Sequence, residues 1–274
     1  LGRQAIGFGR ATFFTVVDVL APFGTFQVDQ EWKSGVDAFD IEWQAFDQVA
    51  LGFTAAAESD FSNGAFLGRI QPTFGDIDFL FLGGKRSEDW MAALSTSMAL
   101  LDAEFHGEFG FFFTDGRGVP QAQIANSTVI KAVVGGSYTF QLLSGLTWLT
   151  EYHFNGFGLS DIPDQEAELL ESDWQARFLR GDFQSVGQQE IATSLNLTIN
   201  ESFSAYSYGV VSGEDGSGLA SVGGTWNYSD NFSLDLNSFI PWGRAPNTDS
   251  GSPVLRSEYG ASPWTVYASM RFYD

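Results

Sequence analysis

Residues 91–113 read MAALSTSMALLDAEFHGEFGFFF, two strand-length runs with a single residue, Asp102, between them. In the second run Phe105, Gly107, Phe109 and Phe111 alternate with His106, Glu108 and Gly110. Successive strand side chains point to opposite faces, so this period of two makes one face apolar and the other polar. A run of about 9–11 residues is the length with which a tilted strand crosses a bilayer.

The same alternation recurs along the chain. Phe39, Ile41 and Trp43 oppose Asp40, Glu42 and Gln44, and Phe232, Leu234 and Leu236 oppose Ser233, Asp235 and Asn237. In all, 14 strands are predicted, near 4–10, 36–46, 48–57, 65–73, 76–84, 91–101, 103–113, 128–139, 145–155, 188–200, 203–212, 218–228, 232–240 and 263–273. The connections decide the architecture. They cover 11–35, 47, 58–64, 74–75, 85–90, 102, 114–127, 140–144, 156–187, 201–202, 213–217, 229–231 and 241–262, with long and short alternating. A soluble sandwich has no reason to do this. An antiparallel up-and-down transmembrane β-barrel does, because its periplasmic turns are short and its extracellular loops long. The reading is therefore a single outer-membrane barrel domain over 1–274, all-β, with both ends periplasmic, apolar side chains facing lipid and polar ones a wet lumen. Closure removes the strand edges that lipid does not tolerate.

Composition agrees. The chain has 27 Phe, 8 Trp, 8 Tyr and 31 Gly but only 8 Pro, which suits strands, tight turns and aromatic bands. It has no cysteine, hence no disulfide framework or thiolate metal site, and no cofactor is expected. A net charge of −21 excludes nucleic acid as a partner, since that needs a basic footprint. Apolar runs such as Phe79–Leu82 are far too short for a spanning helix.

Two connections stand out. The first, TFFTVVDVLAPFGTFQVDQEWKSG over 12–35, is too apolar for an ordinary surface loop. It either packs at the membrane rim or folds into the barrel mouth, where Phe13, Phe14, Asp18, Phe23 and Phe26 are the candidates for a constriction. The second, over 156–187, is an external loop in which Ala167, Leu170, Trp174 and Phe178 have helical spacing.

Leu1–Arg10, LGRQAIGFGR, followed by VVDVLAPF at 16–23 and KSGVDAFDIEW at 33–43, resembles a pattern of uncharacterised porin-like outer-membrane β-barrels of Gram-negative bacteria. Phe8 and Ala21-Pro22 stand where that pattern has Trp and Asn-Pro. GLTWLTEYHFNGFG at 145–158 is similar to a mid-barrel strand of such proteins. WTVYASMRFYD at 264–274 is similar to the terminal strand read by the barrel-assembly machinery, except that Asp274 follows the aromatic that normally closes it. The resemblance implies outer-membrane lipid and lipopolysaccharide as surroundings and the assembly machinery as a partner during insertion. A homo-oligomer or a protein partner stays open. Relatives of this kind carry strands before the GRQ strand, which leaves room for a larger barrel.

Candidate chemistry lies on the inner face. Asp40, Glu42, Arg69, Glu108, Lys131, Glu151, His153, Asp235 and Arg271 are the expected lumen-lining charges. Facing acids and bases bias ion choice in a pore, and the excess of acids points to mild cation preference. No enzyme is expected. A lipid-facing Ser-His-Asn triad is not met by His153 with Asn155, which face the lumen; a protease with a histidine and acidic pairs at the extracellular rim is not met by His106, which lies near a periplasmic turn, nor by His153, to which the sequence ties no acidic pair. Acidic residues cluster at Asp161, Asp164, Glu166, Glu168, Glu171 and Asp173 without EF-hand spacing, so no dedicated metal site is expected. The glycine stretches at 134–136 and 222–224 precede no helix and serve wall curvature or close packing rather than phosphate binding. The expected function is passive diffusion of small polar or ionic solutes. The alternative is a structural barrel that anchors or sheathes a partner.

Overall fold

The computed structural model describes residues 1–20, 35–57, 64–120, 127–162, 169–247 and 254–272. Fourteen antiparallel strands form one sheet in sequence order: β1 (Gly2–Gln4), β2 (Val36–Phe46), β3 (Val49–Ala56), β4 (Ala65–Phe74), β5 (Ile77–Arg86), β6 (Asp89–Leu100), β7 (Ala103–Phe113), β8 (Thr128–Phe140), β9 (Leu146–Asn155), β10 (Gln189–Asn200), β11 (Phe203–Ser212), β12 (Gly218–Ser229), β13 (Phe232–Trp242) and β14 (Thr265–Phe272). Every neighbour along the chain is a neighbour in the sheet, as in an up-and-down barrel. Inward side chains of β4, β5, β7, β8, β9 and β11 all reach one segment, residues 5–20, so the sheet curls around it.

Alternation sorts the faces as the composition requires. Ile41, Trp43, Phe53, Val134, Trp148, Val222 and Met270 point outward and are exposed. Exposed large apolar side chains recur along the outer face of the strands. No helix among the described residues is long and apolar enough to cross a membrane.

Three expectations are corrected. The first strand, expected over 4–10, is only Gly2–Gln4, because residues 5–20 leave the sheet and turn inward. The sheet is also not closed: β1 pairs with β2 and β14 with β13, and the two do not pair with each other. The connection expected over 85–90 is a two-residue turn, Ser87–Glu88, with the ladder running on through Lys85↔Trp90 and Arg86↔Asp89. Ser87 takes the left-handed conformation, φ 52°, that so tight a turn needs. It is therefore short although it lies at the loop end of the sheet.

The interior has two halves. Toward the short turns it is polar. Toward the loops it holds an apolar core of Leu67, Leu80, Leu82, Met91, Phe112 and Val133 from the wall, packed with Phe14, Val16 and Val17 of the in-folded segment. Phe157, Trp174 and Phe183 of the β9–β10 connection complete it. Each fully buried side chain of this size contributes roughly 1.5–3 kcal/mol. That connection carries helix α1 (Ser172–Arg180). It is not simply external, for its aromatics pack into the core at the loop end of the sheet.

Candidate functional site

Glycine sets the inner wall's charge geometry. Neighbouring strands lie about 4.8 Å apart, so residues two strands apart meet only if the one between has no side chain. Across β7, β8 and β9 the register places His106, Gly135 and Glu151 in one row. His106 Nε2 lies 2.9 Å from Glu151 Oε1, over Gly135, where an added Cβ would be 2.5 Å from Glu151 Cγ and 2.6 Å from His106 Nε2. Glu42, Gly52 and Arg69 form the same kind of row on β2, β3 and β4. There Arg69 donates to Asp40 at 2.7 and 3.0 Å and to Glu42 at 3.2 Å. Gly223 of β12 lies against Tyr206 of β11, whose hydroxyl donates to Asp235 of β13 at 2.9 Å. Close packing, one of the two roles expected of the stretches at 134–136 and 222–224, is what Gly135 and Gly223 provide.

Two of these wall carboxylates hold the in-folded segment by its backbone. Glu108 Oε1 accepts the N–H groups of Arg10 (2.8 Å) and Ala11 (3.1 Å). Its Oε2 accepts those of Val16 (2.7 Å) and Val17 (3.2 Å) and the Thr15 hydroxyl (3.3 Å). Glu151 accepts from Thr12 (2.6 Å), Phe13 (2.9 Å) and Phe14 (3.2 Å). A chain that leaves a sheet must satisfy its amides elsewhere, and here buried carboxylates do so with charge-assisted bonds. Asp18 closes the segment on itself, accepting from Phe8 and, at 2.7 Å, from Gly9. Lys131 donates to the carbonyls of Thr15 (3.2 Å) and Asp182 (2.9 Å), joining the segment to the β9–β10 connection. Phe14 stacks on His153 with ring centroids 4.5 Å apart, and Arg69 sits 5.6 Å from the Phe8 ring.

At the loop end, Gly181 ends α1 in the left-handed conformation, φ 78°, and its N–H returns to Phe178 O. This turn brings Asp182 under the helix's own Arg177 (3.2 Å) and Arg180 (3.0 Å) and against Arg86. Burial pushes the Asp182 carboxyl up, but Arg86, Arg180 and Arg177 outweigh it and hold it at about 2. A second cluster is acidic. Glu258 accepts from Val186 (2.8 Å) and Gly187 (2.6 Å), Glu214 accepts from Gln189 (3.1 Å), and Tyr259 donates to Glu190. Burial, then the negative charge of Glu190, push Glu258 up to about 8 against its two amide donors. Burial also raises Glu214.

All nine expected lumen-lining residues lie on the inner face, in different settings. Glu108, Lys131, Glu151 and His153 are buried against the in-folded segments rather than bathed in water. Asp40, Glu42 and Arg69 form one ion-paired group, and Asp235 accepts from Tyr206 and Thr225. Arg271 is exposed on β14 opposite Ser233. Of the constriction candidates, Phe13, Phe14 and Asp18 belong to the in-folded segment, while Phe23 and Phe26 lie outside the described residues. Asp164, Ala167, Glu166 and Glu168 lie outside them too. Thr15, Asp182, Glu190 and Glu258 are additions. For Asp182 the run RFLRGD at 177–182 held a signal, two arginines of one helical turn followed by a glycine stop and an acid. No family model matches the chain, and no curated protein matches it either.

Proposed function

We propose that this chain is a bacterial outer-membrane barrel that passes small polar solutes along a lumen narrowed by residues 5–20. One observation carries the reading. Wall carboxylates Glu108 and Glu151 fix that segment across the interior while a polar cleft of about 250 Å³ remains between Phe8–Arg10 and β4–β6. A lumen whose only task was to be filled has no need of an open polar cleft. The exposed apolar exterior supports a lipid surrounding, and the net charge of −21 supports a mild preference for cations. Insertion then requires the barrel-assembly machinery, and acidic loops face lipopolysaccharide.

The test is swelling of proteoliposomes in solutes of graded size. Entry of small polar solutes with a sharp size limit is expected, and no entry by protein that shifts on unheated gels refutes the reading. A second reading, a structural or interaction barrel, is favoured by the core of Phe14, Val16, Val17, Phe112, Phe157 and Phe183 at the loop end. It predicts a sealed barrel and a stoichiometric partner on purification.

A further inference from the structure

We infer that the interior holds a binding subsite for a small zwitterion, a solute with one carboxylate and one ammonium, alongside the Arg10–Asp78 ion pair. The inference rests on the reading of the lumen as a solute path and names the class of solute. The cleft of about 250 Å³ has Phe8 and Arg10 of the in-folded segment on one side. Gln71 and Thr73 of β4, Asp78 of β5 and Ser95 of β6 form the other. Two of its lining residues, Thr73 and Asp78, pair beside the short 75–76 turn.

Three features select the occupant. The first is a loose, solvent-exposed ion pair that can take a second pair of charges alongside it. Arg10 Nη2 and Asp78 Oδ2 are 3.6 Å apart, longer than a hydrogen bond, and 54% and 46% of the two side chains is exposed. Each is anchored from behind: Arg10 by its backbone N–H on Glu108, and Asp78 by the Thr73 hydroxyl at 2.8 Å. A lone anion drawn to Arg10 meets Asp78, and a lone cation drawn to Asp78 meets Arg10. A zwitterion satisfies both, with its carboxylate on the guanidinium fork and its ammonium on the aspartate. The second feature is the Ser95 hydroxyl, which is buried and has no hydrogen-bond partner in the structure. Leaving such a group unsatisfied costs about 1–3 kcal/mol, so a polar atom in the cleft is stabilising there. The third is size. The cleft of about 250 Å³ lies below the roughly 300–1,000 Å³ typical of sites for drug-sized ligands, which sets an upper bound on the occupant and admits a solute as small as alanine.

The experiment is saturation-transfer NMR on the full chain in detergent micelles. Its probes are alanine and three molecules of similar size: lactamide (neutral), propionate (anionic) and propylamine (cationic). Alanine is expected to give a signal at least fivefold above each of the others. Arg10→Gln and Asp78→Asn are each expected to remove that excess, and Ser95→Ala to reduce it. Unheated gel mobility verifies that each variant is folded. Equal signals from alanine and lactamide, or an alanine excess that survives both charge variants, overturn the subsite. Swelling assays separate this outcome from failure of the channel reading. Solute entry with equal NMR signals from alanine and lactamide keeps the channel and removes the subsite, whereas alanine binding without any solute entry removes the channel alone.

Discussion

Replacing Glu108 by Gln tests what holds the in-folded segment. In the wild type five donors converge on this one carboxylate: the N–H groups of Arg10, Ala11, Val16 and Val17 and the Thr15 hydroxyl. Glutamine keeps one oxygen but turns the other into an NH₂ group that faces two N–H donors. At least two bonds to a charged acceptor are lost, each worth about 1.5–3 kcal/mol net, which sums to about 3–6 kcal/mol. Relaxation favours the lower end, and about 3 kcal/mol is about a 100-fold change in an opening equilibrium. Hydrogen exchange read by mass spectrometry reports that equilibrium when closing is faster than exchange. Amides 10–17 are expected to be protected in the wild type and to exchange about 100-fold faster in Glu108→Gln, with β6–β8 unchanged. Wild-type amides exchanging at the rate of a free peptide would refute the account. So would equal protection in both proteins.

Further predictions concern the wall and the loop end. Gly135→Ala puts a Cβ 2.5 Å from Glu151 Cγ and 2.7 Å from Thr150 O. It is expected to separate His106 from Glu151 and to cost about 1–3 kcal/mol of overpacking, read as a lower unfolding midpoint in detergent. Asp182→Asn leaves Arg86, Arg177 and Arg180 without their shared acid, and loss of one partner from a buried charge network costs about 3–5 kcal/mol. Proteolysis within 169–187 should rise accordingly. The native Asp182 carboxyl lies at about 2 against an ordinary 3.8, so its stabilisation is present above 3.8 and is lost as pH falls toward 2. For Glu258 the sign is opposite. Its native value is about 8 against an ordinary 4.5, so the unfolded state loses its proton first and stability falls as pH rises from about 4.5 to 8. Protection of the Val186 and Gly187 amides should fall over that range, and Glu258→Gln should flatten the profile.

Much of the wall was legible in the sequence. The expected limits 36–46, 103–113 and 203–212 coincide with β2, β7 and β11. In β2 and β7 outward positions such as Ile41, Trp43, Phe105 and Phe109 are apolar, so the alternation is strong. The end of β1 was not legible. Ala5, Ile6, Gly7, Phe8 and Gly9 carry a strand-like pattern, and the acids that take the amides of 10–14, 16 and 17 are as distant in sequence as Glu108 and Glu151. Which wall charges meet was not legible either. Arg69 reaches Glu42, and His106 reaches Glu151, only because the register sets Gly52 and Gly135 between them, and a one-residue slip would separate both pairs. The filled loop end was hidden for a related reason. Leu67, Leu80 and Phe112 belong to runs of consecutive apolar residues, where alternation is silent about which neighbour points inward.

The most direct measurement is conductance across planar bilayers. Folded wild-type protein is expected to give small, discrete steps with modest cation selectivity. Glu108→Gln should give larger or noisier steps, as the grip on residues 10–17 is released. A folded wild type and a folded Glu108→Gln variant that both leave the bilayer silent would contradict the account and favour a sealed structural barrel.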